Sequence, residues 1–204
     1  MVRDGWMARI GRYNANELVF LDESAANERT SDRKYGWAPR GVRAAEYLPI
    51  KRSERWSILP AYTTNGYLTY EIYQGSFNTL RFNAFVAEKL LPLMQPYPAP
   101  RSVIVLDNAH IHRNQGFGDM CAVAGVRIEY LPPYSPDSNP IEKPFAGLKM
   151  WMQKNRDLVI AFGVDFRGFL FTRWRFVQTM LLRTLKLVTL RFNSYIVFNT
   201  IESP

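Results

Sequence analysis

Three carboxylates in this chain stand where chemistry can be done. The apolar run Leu18-Val19-Phe20-Leu21 stops at Asp22, and the run Val103-Ile104-Val105-Leu106 stops at Asp107. Glu142 follows the proline-rich loop "LPPYSPDSNP" and opens a segment of helical pattern. Unbroken apolar runs of this length mark strands covered on both faces, and ligand sites in open α/β sheets lie beyond the carboxyl ends of such strands. If the two strands are parallel neighbours, their terminal carboxylates lie about 4.8 Å apart. Repulsion at that range raises one pKa unless a cation sits between the pair. A divalent metal resolves the conflict, and ligands that are all oxygen favour magnesium or manganese. Taken singly, an Asp after a strand also serves as a turn residue, and a Glu in a first helical turn complements the helix dipole.

The elements that must position these groups are legible around them. Pro132, Pro133 and Pro136 forbid regular structure before Asn139, because proline lacks a backbone donor and restricts its predecessor. Ile141, Phe145, Leu148 and Met152 then recur at helical spacing. Asn139 is the expected N-cap, with Pro140 at the first helical position. Upstream, Asn65-Gly66 is a strong hairpin signal, so Arg55–Tyr62 and Tyr67–Tyr73 are expected as antiparallel partners. "TLRFNAFVAEKLLPLM" has a broad apolar face and reads as one helix. A helix over about 114–124 and a strand over 126–130 complete an α/β layout. The glycine-rich "NQGFGDM" suggests that this helix starts late.

The 204 residues are 47% hydrophobic, enough to bury a core as one principal domain. A net charge of +8 points to an anionic partner, nucleic acid by default. The single cysteine, Cys121, excludes an internal disulfide framework and fits a packed helical position. No signal-peptide core and no run of membrane-spanning length is present, so no membrane partner is expected.

"LVFLDESAANERTSDRKYGWAPRG", "RSVIVLDNAHIHR" and "LPPYSPDSNPIEKPFAGLK" together resemble the DDE endonuclease domain of Tc1/mariner-type transposases, fungal relatives in particular. Between Asp107 and Glu142 lie 34 residues, the spacing of that group. The resemblance covers roughly residues 10 to 160. It implies a ribonuclease H-like α/β fold, a mixed sheet flanked by helices, with an atypical tail. The division it implies is an N-terminal remnant over 1–16, a catalytic domain over 17–160 and a basic, apolar tail over 161–204. By the same resemblance, Asp22, Asp107 and Glu142 are the catalytic carboxylates holding two divalent cations, magnesium or manganese. The implied reaction is DNA cleavage and strand transfer. Its partners are transposon-end and target DNA, with a homodimer on DNA, and its compartment is the nucleus.

Other residues enter as neighbours of that set. His112 and Asn108 match family positions beside Asp107; His110 and His112 alone are too few to form a structural metal site. Glu23 follows Asp22 and by strand alternation points to the opposite face. Arg33, Lys34, Arg40, Lys51, Arg52 and Arg55, interleaved with Tyr35 and Trp37, fit a DNA backbone contact surface. They equally fit a solvated hairpin.

The sequence also departs from the family. Only about 16 residues precede the first acidic strand, so the helix-turn-helix readers of full-length relatives are not expected here. Lys143 stands where the family commonly has a second acid, beside Pro144. From about Leu170 the tail ceases to resemble the family, as a basic DNA arm or a product of altered splicing or a frameshift would. The alternative function is therefore a catalytically inactive transposon remnant or a co-opted DNA-binding module. An enzyme acting on RNA/DNA hybrids fits the fold as well, but not the "SPDSNPIE" block.

Overall fold

The computed structural model describes residues 2–32, 36–45, 54–133, 135–162, 168 and 170. Among the described residues, six strands form one mixed sheet: β1 (Leu18–Leu21), β2 (Ser24–Ala26), β3 (Trp56–Thr63), β4 (Gly66–Gln74), β5 (Val103–Leu106) and β6 (Arg127–Tyr130). Their order is β2-β3-β1-β5-β6, with β4 also on β3. The pairs β1–β5 and β5–β6 are parallel, and every pair involving β3 is antiparallel. Among the described residues, five α-helices flank the sheet: α1 (Val2–Ile10), α2 (Thr79–Phe85), α3 (Gln115–Val123), α4 (Glu142–Lys154) and α5 (Arg156–Phe162).

Alternation along β1 and β5 divides the core into two layers. Leu18, Phe20, Val103 and Val105 face a layer that contains Trp6 of α1, Phe145, Leu148 and Met152 of α4, and Val159 of α5. Val19, Leu21, Ile104 and Leu106 face the other, with Phe82 and Phe85 of α2 and Phe117 and Cys121 of α3. All four residues of both β1 and β5 are buried, which is why these strands read as unbroken apolar runs. The expected mixed sheet between helices is what forms.

The break after β1 has a local cause. β2 continues along the same edge of β3 in the same register, with Leu21 opposite Ala61 and Ser24 opposite Ile58. That register sets Asp22 and Glu23 across from Pro60 and Leu59. Pro60 brings no backbone N–H to the ladder, so pairing lapses where Asp22 leaves the strand. In the hairpin, β3 and β4 turn at Asn65-Gly66, where Gly66 takes φ 105°, a region open to glycine.

Three helix boundaries differ from the sequence expectation. The helix from Thr79 keeps α geometry only to Phe85, then widens into a π turn over Val86–Leu90 and tightens over Leu91–Leu93. Pro92 is the reason: it has no N–H, and its ring would meet the carbonyl of Glu88 in a regular helix. α3 does not start late. It begins at Gln115, capped by the Asn114 side chain, which accepts from the Phe117 N–H at 2.9 Å. Gly116 is there for space, since a Cβ would lie 3.2 Å from the Asn83 amide that pairs with Asn114. Finally, α4 begins at Glu142, not at Pro140, and Asn139 is not its N-cap. A short 3-10 turn over Pro136–Ser138 precedes it. Among the described residues, no helix is long and apolar enough to cross a membrane.

Candidate active site

Leu21 pairs with Leu106 across the parallel β1–β5 ladder, so the chain leaves both strands side by side at Asp22 and Asp107. On the same face, α4 packs Phe145, Leu148 and Met152 into the core and thereby fixes Glu142, at its first position, over the strand ends. The three carboxylates line one cavity of about 430 Å³, together with Asn108, Ala109, Leu131, Pro132, Pro133, Ser135 and Asn139. The proline-rich loop is thus a wall of the cavity. Its rigidity holds the start of α4 against two strand ends distant in sequence.

The two strand-end carboxylates of this cavity sit in different electrostatic surroundings. Burial pushes the Asp22 carboxyl up to about 7; the Glu23 N–H opposes the shift, and the charges of Glu142 and Asp107 add to it. The Glu23 N–H bonds Asp22 Oδ1 at 2.7 Å, and the Asn139 amide donates to Oδ2 at 2.8 Å. Asp107 behaves oppositely. A hydrogen bond from His112 holds its carboxyl below the usual range, against burial and with help from the Ala109 N–H. Two carboxylates on adjacent strands therefore have opposite proton affinities.

His112 is buried behind Asp107. Its Nδ1 lies 2.7 Å from Asp107 Oδ1 and its Nε2 lies 3.7 Å from Glu23 Oε1, with the Phe82 ring against its face at 4.6 Å. Burial works against its charge, but the bond to Asp107 and the nearby Glu23 carboxylate outweigh it and raise the imidazolium to about 9. His112 is thus a cation at neutral pH, clamped between two carboxylates. The Glu23 side chain is absent from the cavity lining and approaches the site through this ring, while its backbone N–H bonds Asp22.

The remaining expected residues divide. Asn108 lines the cavity and donates to the Leu131 carbonyl. Trp37 is fully exposed, and Arg40 and Arg55 are exposed. Arg33, Lys34, Lys51 and Arg52 lie outside the described residues, as does nearly all of the tail. Lys143 is exposed and is not part of the cavity lining. Sequence reasoning missed Asn139, whose side chain joins the loop to Asp22 and accepts from the Ile141 N–H at 3.3 Å. Its position before Pro140 suggested a cap, and nothing local pointed to a partner 117 positions away.

The donor set suits a hard divalent cation. Every side-chain donor on the cavity wall is oxygen or amide, and Asp22, raised chiefly by burial and further by the charges of Glu142 and Asp107, would be eased by a cation. Among the described residues, no three His, Cys, Asp or Glu side chains are already gathered to ligand distance.

The family model for the DDE superfamily endonuclease matches residues 17–159. The chain belongs to the DDE endonuclease superfamily. Its structure resembles Mos1 transposase in the paired-end complex with the left transposon end, at a TM-score of 0.61 and 19% identity over 74% of this chain. It also resembles the Mos1 mariner paired-end complex with Mn, at a TM-score of 0.68 and 16% identity over 100% of this chain. Both likenesses are of fold, and they give this DDE domain the ribonuclease H-like architecture of a mariner transposase catalytic domain. It spans 47% and 62% of the length of those two chains. No curated protein matches it by sequence.

Proposed function

We propose that this DDE domain is a metal-dependent DNA endonuclease and strand transferase of the transposase type, with Asp22, Asp107 and Glu142 as its metal ligands. One observation carries the reading: the in-register β1–β5 pair brings Asp22 and Asp107 to a single cavity that Glu142 closes from α4. Two divalent cations held there, magnesium or manganese, would stabilise the attacking and leaving oxygens of an in-line phosphodiester displacement.

The chain's own residues prepare that chemistry. Asn139 fixes one oxygen of Asp22, and His112 fixes one oxygen of Asp107 while remaining protonated behind it. Leu131, Pro132 and Pro133 contribute apolar surface to the cavity wall. The substrate is duplex DNA, approached over a surface to which exposed Arg40, Arg55 and Trp37 belong, with Arg33, Lys34, Lys51 and Arg52 as further contacts. Transposon ends and target DNA as partners, a homodimer on DNA and action in the nucleus belong to the same reading. The Mos1 complexes with DNA and with Mn support it by fold.

The test is manganese titration by calorimetry beside nicking of a supercoiled plasmid. Wild type should bind manganese saturably and nick, whereas Asp22→Asn and Asp107→Asn should lose both while keeping the native circular-dichroism spectrum. Nicking by Asp107→Asn at the wild-type rate would remove this residue from the site.

A further inference from the structure

Arg113 is outside every role assigned so far. Its guanidinium donates through Nη2 to Asn108 Oδ1, and Asn108 is itself tied to the Leu131 carbonyl on the cavity wall. The same guanidinium lies over the Tyr130 ring, 5.2 Å from its centre, and Tyr130 is fixed by its hydroxyl bond to the His112 carbonyl at 2.9 Å. An exposed arginine is thus held in place by two neutral partners, each anchored to the elements that carry Asp107. No carboxylate among the described residues forms an ion pair with it. Arg3, Arg9, Arg81 and Lys89, by contrast, each face a carboxylate within 4 Å.

Ordering a long side chain costs rotamer entropy, and neutral partners leave its charge available. Only one of five guanidinium donors is engaged by Asn108. The free edge therefore suits a planar, bidentate grip on an anion of phosphate geometry. Through its bond to Asn108, a residue of the cavity wall, the guanidinium borders the carboxylate cavity without lining it.

Resting on the nuclease reading above, we propose that Arg113 is a substrate-binding residue that grips a DNA backbone phosphate flanking the one to be cleaved. Asn108 and Tyr130 are its positioning residues. Arg113 adds no charge to the ligand set and makes no bond to the reacting phosphorus. It fixes the register of the strand.

The test uses the full chain and a fluorescein-labelled duplex oligonucleotide in calcium, with binding read by anisotropy across a salt series. Each phosphate contact contributes about 0.9 to the slope of log affinity against log salt. Arg113→Ala and Arg113→Gln should each lower that slope by about 0.9, and Arg113→Lys should restore most of it. The Gln variant keeps a donor for Asn108 without the charge, so wild-type slopes for Gln overturn the proposal in favour of a bracing role. An unchanged slope for Ala, or no binding by wild type, also overturns it. Plasmid nicking in manganese separates the two readings. Loss of cutting in Asp107→Asn with an unaltered slope in Arg113→Ala would remove the phosphate grip alone. An altered slope with cutting retained in Asp107→Asn would remove the nuclease assignment alone.

Discussion

Asn139 uses both ends of its amide. Nδ2 donates to Asp22, and Oδ1 accepts from the Ile141 N–H, one residue before Glu142. A single buried side chain therefore ties a strand-end carboxylate to the helix start that carries the third acid. Under the proposed assignment of Asp22 as a metal ligand, removing such an outer partner lowers metal affinity by about 10–100-fold. Asn139→Ala should weaken manganese binding by that factor in calorimetry, with secondary structure retained. Wild-type affinity in this variant would mean that Asp22 is oriented by its Glu23 N–H contact alone. His112 acts on the other aspartate in the same manner, from behind.

Helix α4 links the core to the site. Phe145, Leu148 and Met152 are buried and hold Glu142 in place at the first position of the same element. Truncating a buried Leu or Met to Ala costs about 2–5 kcal/mol. Met152→Ala should therefore lower the unfolding free energy by that amount in urea titration. A loss under about 1 kcal/mol would contradict tight packing of this face. The same helix shows what the sequence revealed and what it hid. Its apolar spacing is periodic, so the face was legible, and the strands β1 and β5 were legible because burial on both sides leaves no polar residue in either. Its start was misplaced by two residues because Asn139 has the composition of a cap but bonds a distant aspartate. Pro92 gave a clear breaker signal in the helix from Thr79, yet the apolar residues on either side of it disguised the change to π geometry. Side-chain alternation predicted the direction of Glu23. Its contact with His112 depended on how α2 and the 110–112 turn pack, which no local pattern encodes.

At the scale of the whole molecule, the partly buried Asp22 and the buried His112 should make stability depend on pH. Asp22 has a folded pKa of about 7 against an ordinary 3.8, so the native state retains a proton that the unfolded chain has released. Its contribution to stability therefore falls as pH rises from about 4 to 7. His112 has a folded pKa of about 9 against 6.5, so its stabilising charge is fully present below 6.5 and is lost as pH rises through 9. Both groups act in one direction across adjoining windows, each by at most about 1.4 kcal/mol per pH unit. Asp107, held low, titrates beneath this range and leaves the trend unchanged. The melting temperature in chelator should accordingly decline from pH 5 to pH 9, with Asp22 governing the lower half and His112 the upper. His112→Gln should flatten the upper half and spare the lower one. Saturating manganese should reverse the lower half, because metal binding selects the deprotonated carboxylate and gains strength as pH rises toward 7. A melting temperature in chelator that rises between pH 7 and 9, or an upper slope unaffected by His112→Gln, would show that the clamped imidazolium does not stabilise the fold.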